Sequence, residues 1–153
     1  MIAREKPMTD LLGSFAPVLL PVLVLVLWTM VMMGWMAATR IPYMVKNNMG
    51  PENGERTSEL GAMLPKEIQW KADNYNHLLE QPTAFYATAL ACAMAGLGDG
   101  LTLYMAWGYV VVRILHSLVH ATVNNVNLRL LLFLVSSLCL IVMAGNGVIQ
   151  LLN

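Results

Sequence analysis

The chain is short of charge. Asp, Glu, Lys and Arg make up 12% of its 153 residues and balance to a formal net charge of zero, where soluble domains carry about 25%. That balance excludes the basic surface that nucleic-acid binding needs, and no nucleic-acid partner is expected. Cysteine is scarce as well. Cys92 and Cys139 are the only two, far apart and each inside an apolar run, which excludes paired metal-ligand spacing and a redox C-x-x-C and leaves both as small packing residues. Phosphate loops and nucleophile elbows are missing. A cleavable signal peptide is not expected, because the apolar stretch behind Arg4 and Lys6 exceeds the usual core of about 7–15 residues; it reads as a retained first helix.

What the chain has instead is hydrophobic length. Apolar residues make up 58% and the mean hydropathy is +0.60. A soluble fold this small leaves too much surface exposed to hide that content, so lipid is the expected solvent. No charged residue occurs from Leu11 to Ala38, more than the roughly 20 residues that cross about 30 Å of hydrocarbon. Pro17 and Pro21 fall near its start and Arg40 closes it. Residues 41–65, rich in Asn, Gly and Pro, read as a long loop. A second helix starting near Pro65 is polar through Glu80 and apolar from Thr83 to Leu97, with a kink expected at Pro82. Gly96-Leu97-Gly98-Asp99-Gly100 is a tight turn. A third run, Leu101 to Val119, is interrupted by Arg113 and His116, and a fourth covers Leu130 to Leu152. The expectation is one all-α integral membrane domain over residues 1–153. Its four transmembrane helices span about 11–39, 66–97, 101–122 and 129–152. Lys and Arg concentrate around the long loop (Arg40, Lys46, Arg56, Lys66, Lys71), against Arg4 and Lys6 on the other side, which places loop 41–65 in the cytoplasm.

Ionisable groups at membrane depth cost several kcal/mol unless paired or wet, so they are the informative ones. On the third helix, Tyr109, Arg113, His116, Ser117, His120 and Asn124 share one face of about 100°. Asp73, Asn76, His77 and Glu80 do the same on the second helix, with Trp70 close by. Polar stripes on apolar helices must face other helices or a wet cleft. Glu80 needs a cation, and Arg113 is the first candidate, with Arg40 and Arg129 as others. The stripes either line a cavity for an anionic ligand or tie helices together through buried polar contacts. His116 and His120, four apart, could join His77 around a metal or haem. Without an H-E-x-x-H or comparable carboxylate motif, hydrogen bonding within a cleft is the better reading and no metal is expected. The Met30, Met32, Met33 and Met36 cluster is ordinary packing.

Two segments carry a family likeness. Asn74-Tyr75-Asn76-His77-Leu78-Leu79-Glu80-Gln81-Pro82, followed by Phe85-Tyr86, resembles the helix-two motif of the MAPEG family (membrane-associated proteins in eicosanoid and glutathione metabolism). Arg113-Ile114-Leu115-His116-Ser117-Leu118-Val119-His120, with Asn124 and Arg129, resembles its helix-three motif and the arginine that opens helix four. The resemblance covers nearly the whole chain. It implies a four-helix bundle assembled as a homotrimer, with glutathione as co-substrate bound between subunits at the cytoplasmic side and lipophilic small molecules arriving through membrane lipids. It implies that Glu80 holds the glutathione amino group, that Arg113, His116 and Arg40 line the site, and that Arg129 is catalytic in lowering the thiol pKa, as a nearby cation does. The same matching places Asn76, His77 and His120 at ligand-binding positions.

The chain also departs from the glutathione-using eukaryotic enzymes. Asn76 and His77 stand where those have Arg-Asn, His120 where they commonly have Tyr, and Asp73 where an arginine is expected. Loss of two cations weakens the hold on a ligand with two carboxylates. His120, with Ser117 and Asn124, looks more like the bacterial branch of the family, which implies a bacterial inner-membrane location. Two functions follow from the resemblance: a glutathione-dependent transferase or peroxidase acting on lipophilic substrates, or a non-catalytic protein of the same fold that binds a lipid or a partner membrane protein.

Overall fold

A computed structural model describes the backbone of residues 8–153 and the side chains of residues 17–153. Helix α1 runs Met8–Lys46, a 3-10 turn covers Pro51–Gly54, and α2 covers Thr57–Met63. Then follow α3, Lys66–Glu80, α4, Pro82–Met94, α5, Gly100–Ala121, and α6, Val126–Leu152. There is no strand among the described residues. Arg4 and Lys6, which entered the topology count, lie outside the described residues.

Arg40 does not close the first helix. Arginine is a good helix former, and this one donates from Nη2 to Gln69 Oε1 on α3 at 3.0 Å. The helix therefore runs on to Lys46 and stops where Asn48 enters the left-handed region at φ 51°. The Met49 amide then reaches back to the Met44 carbonyl at 3.0 Å, satisfying one of the open end groups. The segment expected to be a loop over 41–65 is thus largely ordered. Leu60 of α2 and the following Leu64 are buried.

The second helix, expected over 66–97 with a kink at Pro82, breaks at Gln81–Pro82 into α3 and α4. Proline at the first position of α4 lacks the amide that would continue the ladder. Chain direction persists, because Gln81 keeps helical angles (φ −59°, ψ −36°). α4 ends before Gly96, which takes φ 73° while the Leu97 amide bonds the Cys92 carbonyl at 2.8 Å. α6 begins at Val126, earlier than expected, because the Asn125 side chain accepts from the Leu128 amide at 3.0 Å and caps it.

Among the described residues, three helices are long and apolar enough to cross a membrane: Pro17–Lys46, Gly100–Ala121 and Val126–Leu152. α4 alone, with 13 residues, covers only ~20 Å of the ~30 Å hydrocarbon. The distribution of polarity is the reverse of a soluble protein's. Arg113, Asn74, Ser117 and Thr102 are fully buried, while Leu20, Leu23, Leu27 and Val31 on α1 and Leu131, Leu134, Leu138 and Ile141 on α6 are exposed. Apolar faces of that extent are sustained by lipid, not water. The chain is a multi-pass integral membrane protein. Its core packs Leu25 and Met32 of α1 with Ala89 of α4, Val110 of α5 and Met143 of α6. Phe85 stacks on Tyr109 at 4.4 Å.

Gly96→Ala should destabilise the detergent-solubilised protein by ~1 kcal/mol, since a Cβ strains the left-handed turn although nothing stands within 4 Å of it. Gly34→Ala in mid-α1, where the same space is open at ordinary φ, should be neutral or slightly stabilising. Thermal melts of the two variants provide the check.

Candidate functional site

The site gathers where α3 meets α5 and the start of α6. Every side chain of the α5 stripe from Tyr109 to His120 is buried: Tyr109, Arg113, His116, Ser117 and His120. The α3 stripe of Asp73, Asn76, His77 and Glu80 lies across from it on the wall of an open cleft. Asn74, fully buried, locks the two helices together by donating from Nδ2 to Ser117 Oγ at 2.6 Å.

Arg113 is the centre of the polar interior. Its guanidinium donates to Gln81 Oε1, to His77 Nε2 at 3.2 Å and to Tyr109 Oη at 3.2 Å, and it lies 5.3 Å from the Phe133 ring centroid. Arginine has no acceptor, so His77 Nε2 must accept; Nδ1 then carries the proton and donates to Glu80 Oε2 at 3.0 Å. The pairing of Glu80 with Arg113 expected from the sequence is therefore not direct. His77 stands between them, because Arg113 points inward while Glu80 is exposed. Gln81 is the residue that sequence reasoning passed over. Its amide also donates from Nε2 to Ser137 Oγ on α6 at 2.7 Å, so one uncharged side chain at the helix break ties α5 and α6 to it. The available signal was its place beside the stripe, just before Pro82.

Two cavities flank this core. The larger, about 500 Å³, is polar and takes its walls from Asp73, Asn76, His77 and Glu80 of α3 together with His120, Asn124 and Arg129. The smaller, about 240 Å³, is lined by Val126, Leu130 and Phe133 along with His77, His116 and Arg129. Arg129 and His77 belong to both. Asn124, left-handed at φ 49°, lies in the turn between α5 and α6 and accepts on its Oδ1 from Arg129 Nη1 at 2.5 Å. Among the described residues, Arg129 Nε and His120 Nδ1 are buried without a partner. Burying such groups unmade is unfavourable, and both belong to side chains that line the polar cavity. The imidazoles of His77, His116 and His120 sit 5.0–6.1 Å apart by ring centroid. Among the described residues, no group of three His, Cys, Asp or Glu is arranged to hold a metal ion.

The remaining sequence-selected residue, Arg40, is not in this cleft. It lines a third cavity of about 410 Å³ with Thr57, Ser58, Gln69, Asp73 and Asn76. Asp73 and Asn76 form the partition between the two polar cavities. Arg40 reaches Asp73 through Gln69, whose Nε2 donates to Asp73 Oδ1 at 2.7 Å.

Gln81→Leu should lower stability by ~2–4 kcal/mol, because it strips a partner from a buried cation. Gln81→Glu, which keeps an acceptor in place, should retain most of the stability. Chemical unfolding in mixed micelles distinguishes the two; equal losses would show that the bond to Arg113 is not what matters.

No curated protein and no solved structure matches the chain. The model of the MAPEG family matches residues 18–149, nearly the whole chain and all of the cavities above. The chain belongs to the MAPEG family.

Proposed function

We propose that this membrane protein is a glutathione-dependent transferase or peroxidase acting on lipophilic substrates. The observation that carries the reading is the position of Arg129, whose side chain lines both the polar and the apolar cavity. A hydrophilic thiol held in the first meets a lipophilic electrophile held in the second at this guanidinium. A cation beside a thiol favours the thiolate, which is the nucleophile. Glu80 takes the ammonium of the peptide, and His120 Nδ1 and Arg129 Nε supply unmet groups for its polar atoms. In transfer, the thiolate sulfur forms a bond to an electrophilic carbon and the leaving group departs with the electron pair of the broken bond. In peroxide reduction, the thiolate takes one oxygen to become a sulfenic acid as the lipid hydroperoxide becomes an alcohol. A second thiol then gives disulfide and water.

The architecture proposed with it is a homotrimer of four-crossing subunits. α4 and the end of α3 make the second crossing, segment 41–65 is cytoplasmic, and the membrane is the bacterial inner membrane. A second reading, binding of a lipid or partner protein without chemistry, is favoured by one observation: Arg113 is fully buried and committed to Gln81, His77 and Tyr109, so it lends no charge to a ligand carboxylate.

Titration with glutathione should raise the melting temperature of the purified protein and produce thiolate absorbance. Arg129→Ala should abolish the absorbance and leave helicity intact, with Arg129→Lys retaining part of it. The absence of any thermal shift at millimolar glutathione would leave the second reading standing. Native mass measurement in detergent should give three subunits; a monomer or dimer would reject the assembly.

A further inference from the structure

The turn that leads to Arg129 sets two asparagines side by side, and they act differently. Asn125 caps α6, accepting from the Leu128 amide at 3.0 Å. Asn124, at φ 49°, accepts from Arg129 Nη1 at 2.5 Å. Both contacts are made within a single chain. Arg129 is the fourth residue of α6, which starts at Val126. The helix dipole is positive in that first turn, so it adds to the field of the guanidinium and favours an anion there. Among the described residues no carboxylate lies within ion-pair distance of Arg129; Asp73 acts on it from farther away. Glu80, His77 and His120 share the polar cavity with it, and His116 the smaller one. The acceptor that holds this cation is therefore a neutral amide. Glycine would suit the left-handed turn but accept nothing, and aspartate would accept but bring a negative charge. Asparagine suits the turn, accepts and stays neutral.

We infer that Asn124 is a positioning residue whose neutrality is what matters: it aims Arg129 at the thiol sulfur without cancelling the charge. This rests on the thiol-activating role proposed above for Arg129 and adds the residue that preserves it. When the S–H bond breaks, the proton passes to water and the electron pair stays on the sulfur, facing the guanidinium. An aspartate at position 124 would hold the guanidinium as firmly and meet its charge with its own, leaving little to favour the thiolate. Asn124 itself touches no reacting atom.

The test uses two glutathione derivatives that differ only at sulfur. Glutathione sulfonate carries a permanent negative charge there, and S-methylglutathione carries none. Both are titrated calorimetrically into the full-length protein in nanodiscs at neutral pH. The ratio of their affinities reads the charge presented to the sulfur, because the other ligand groups and the rest of the assembly are common to both. The unaltered protein should favour the sulfonate by about tenfold. Asn124→Asp, which keeps the turn and the acceptor, should cut that preference to below about twofold, with a melting temperature unchanged or raised by the negative charge at the start of α6. Asn124→Gly, which keeps the turn and leaves Arg129 charged but unheld, should retain about threefold. A merely structural role would weaken both ligands together and leave the ratio alone. A ratio unchanged in Asn124→Asp, or already near one in the unaltered protein, overturns the inference while thiol binding stands. So does a ratio in Asn124→Gly as low as that in Asn124→Asp, since loss of the hold would then account for both. If neither derivative binds, the proposed function falls and the role of Asn124 falls with it.

Discussion

One buried guanidinium organises this bundle. An arginine within a membrane helix is costly unless its charge and all its donors are answered. Arg113 on α5 is answered by Gln81 at the break in the second helix, by His77 one turn earlier and by Tyr109 one turn away on its own helix. The aromatic face of Phe133 from α6 completes the enclosure. These contacts fix the rotation of α3, α5 and α6 about their axes. Once that rotation is set, the remaining polar residues on α3 and α5 have a single place to go, and the cleft follows.

The enclosure also divides labour among the cations. Arg113 stabilises the bundle, Arg40 braces the end of α1 against α3, and Arg129 is held at the boundary of two cavities by a residue in a left-handed turn. Three arginines of similar appearance in the sequence have different neighbours and so different capacities. A guanidinium whose donors are saturated by protein acceptors, as at Arg113, has little left for a ligand; Arg40 and Arg129 each keep an unmet Nε.

Much of this was legible in the sequence, for a physical reason. In lipid the backbone has few options, so long uncharged runs become helices. Polar residues recurring at helical spacing become buried stripes, since lipid excludes them. Tyr109, Arg113, His116 and His120 were found that way. The partners were less legible. Glu80 was expected to meet Arg113 because opposite charges attract, but a neutral imidazole lies between them. Gln81 carries no charge and gives no electrostatic signal. Helix ends failed for a similar reason: Arg40 looked like a stop, whereas Asn48, in the left-handed region, is the stop. The short helix α2 lay hidden among turn-forming residues, although Leu60 within it and Leu64 after it are buried.

The length of α1 has a further consequence. From Pro17 to Lys46 it spans 30 residues, or ~45 Å, against ~30 Å of hydrocarbon. The helix is thus longer than the hydrocarbon is thick, and near its C-terminal end Arg40 clamps it to Gln69 of α3 on the wall of the third cavity. Anything arriving from the aqueous side meets a surface that is already in shape. A ligand landing on such a surface would lose little ordering entropy, and a modest set of polar contacts would then suffice to hold it.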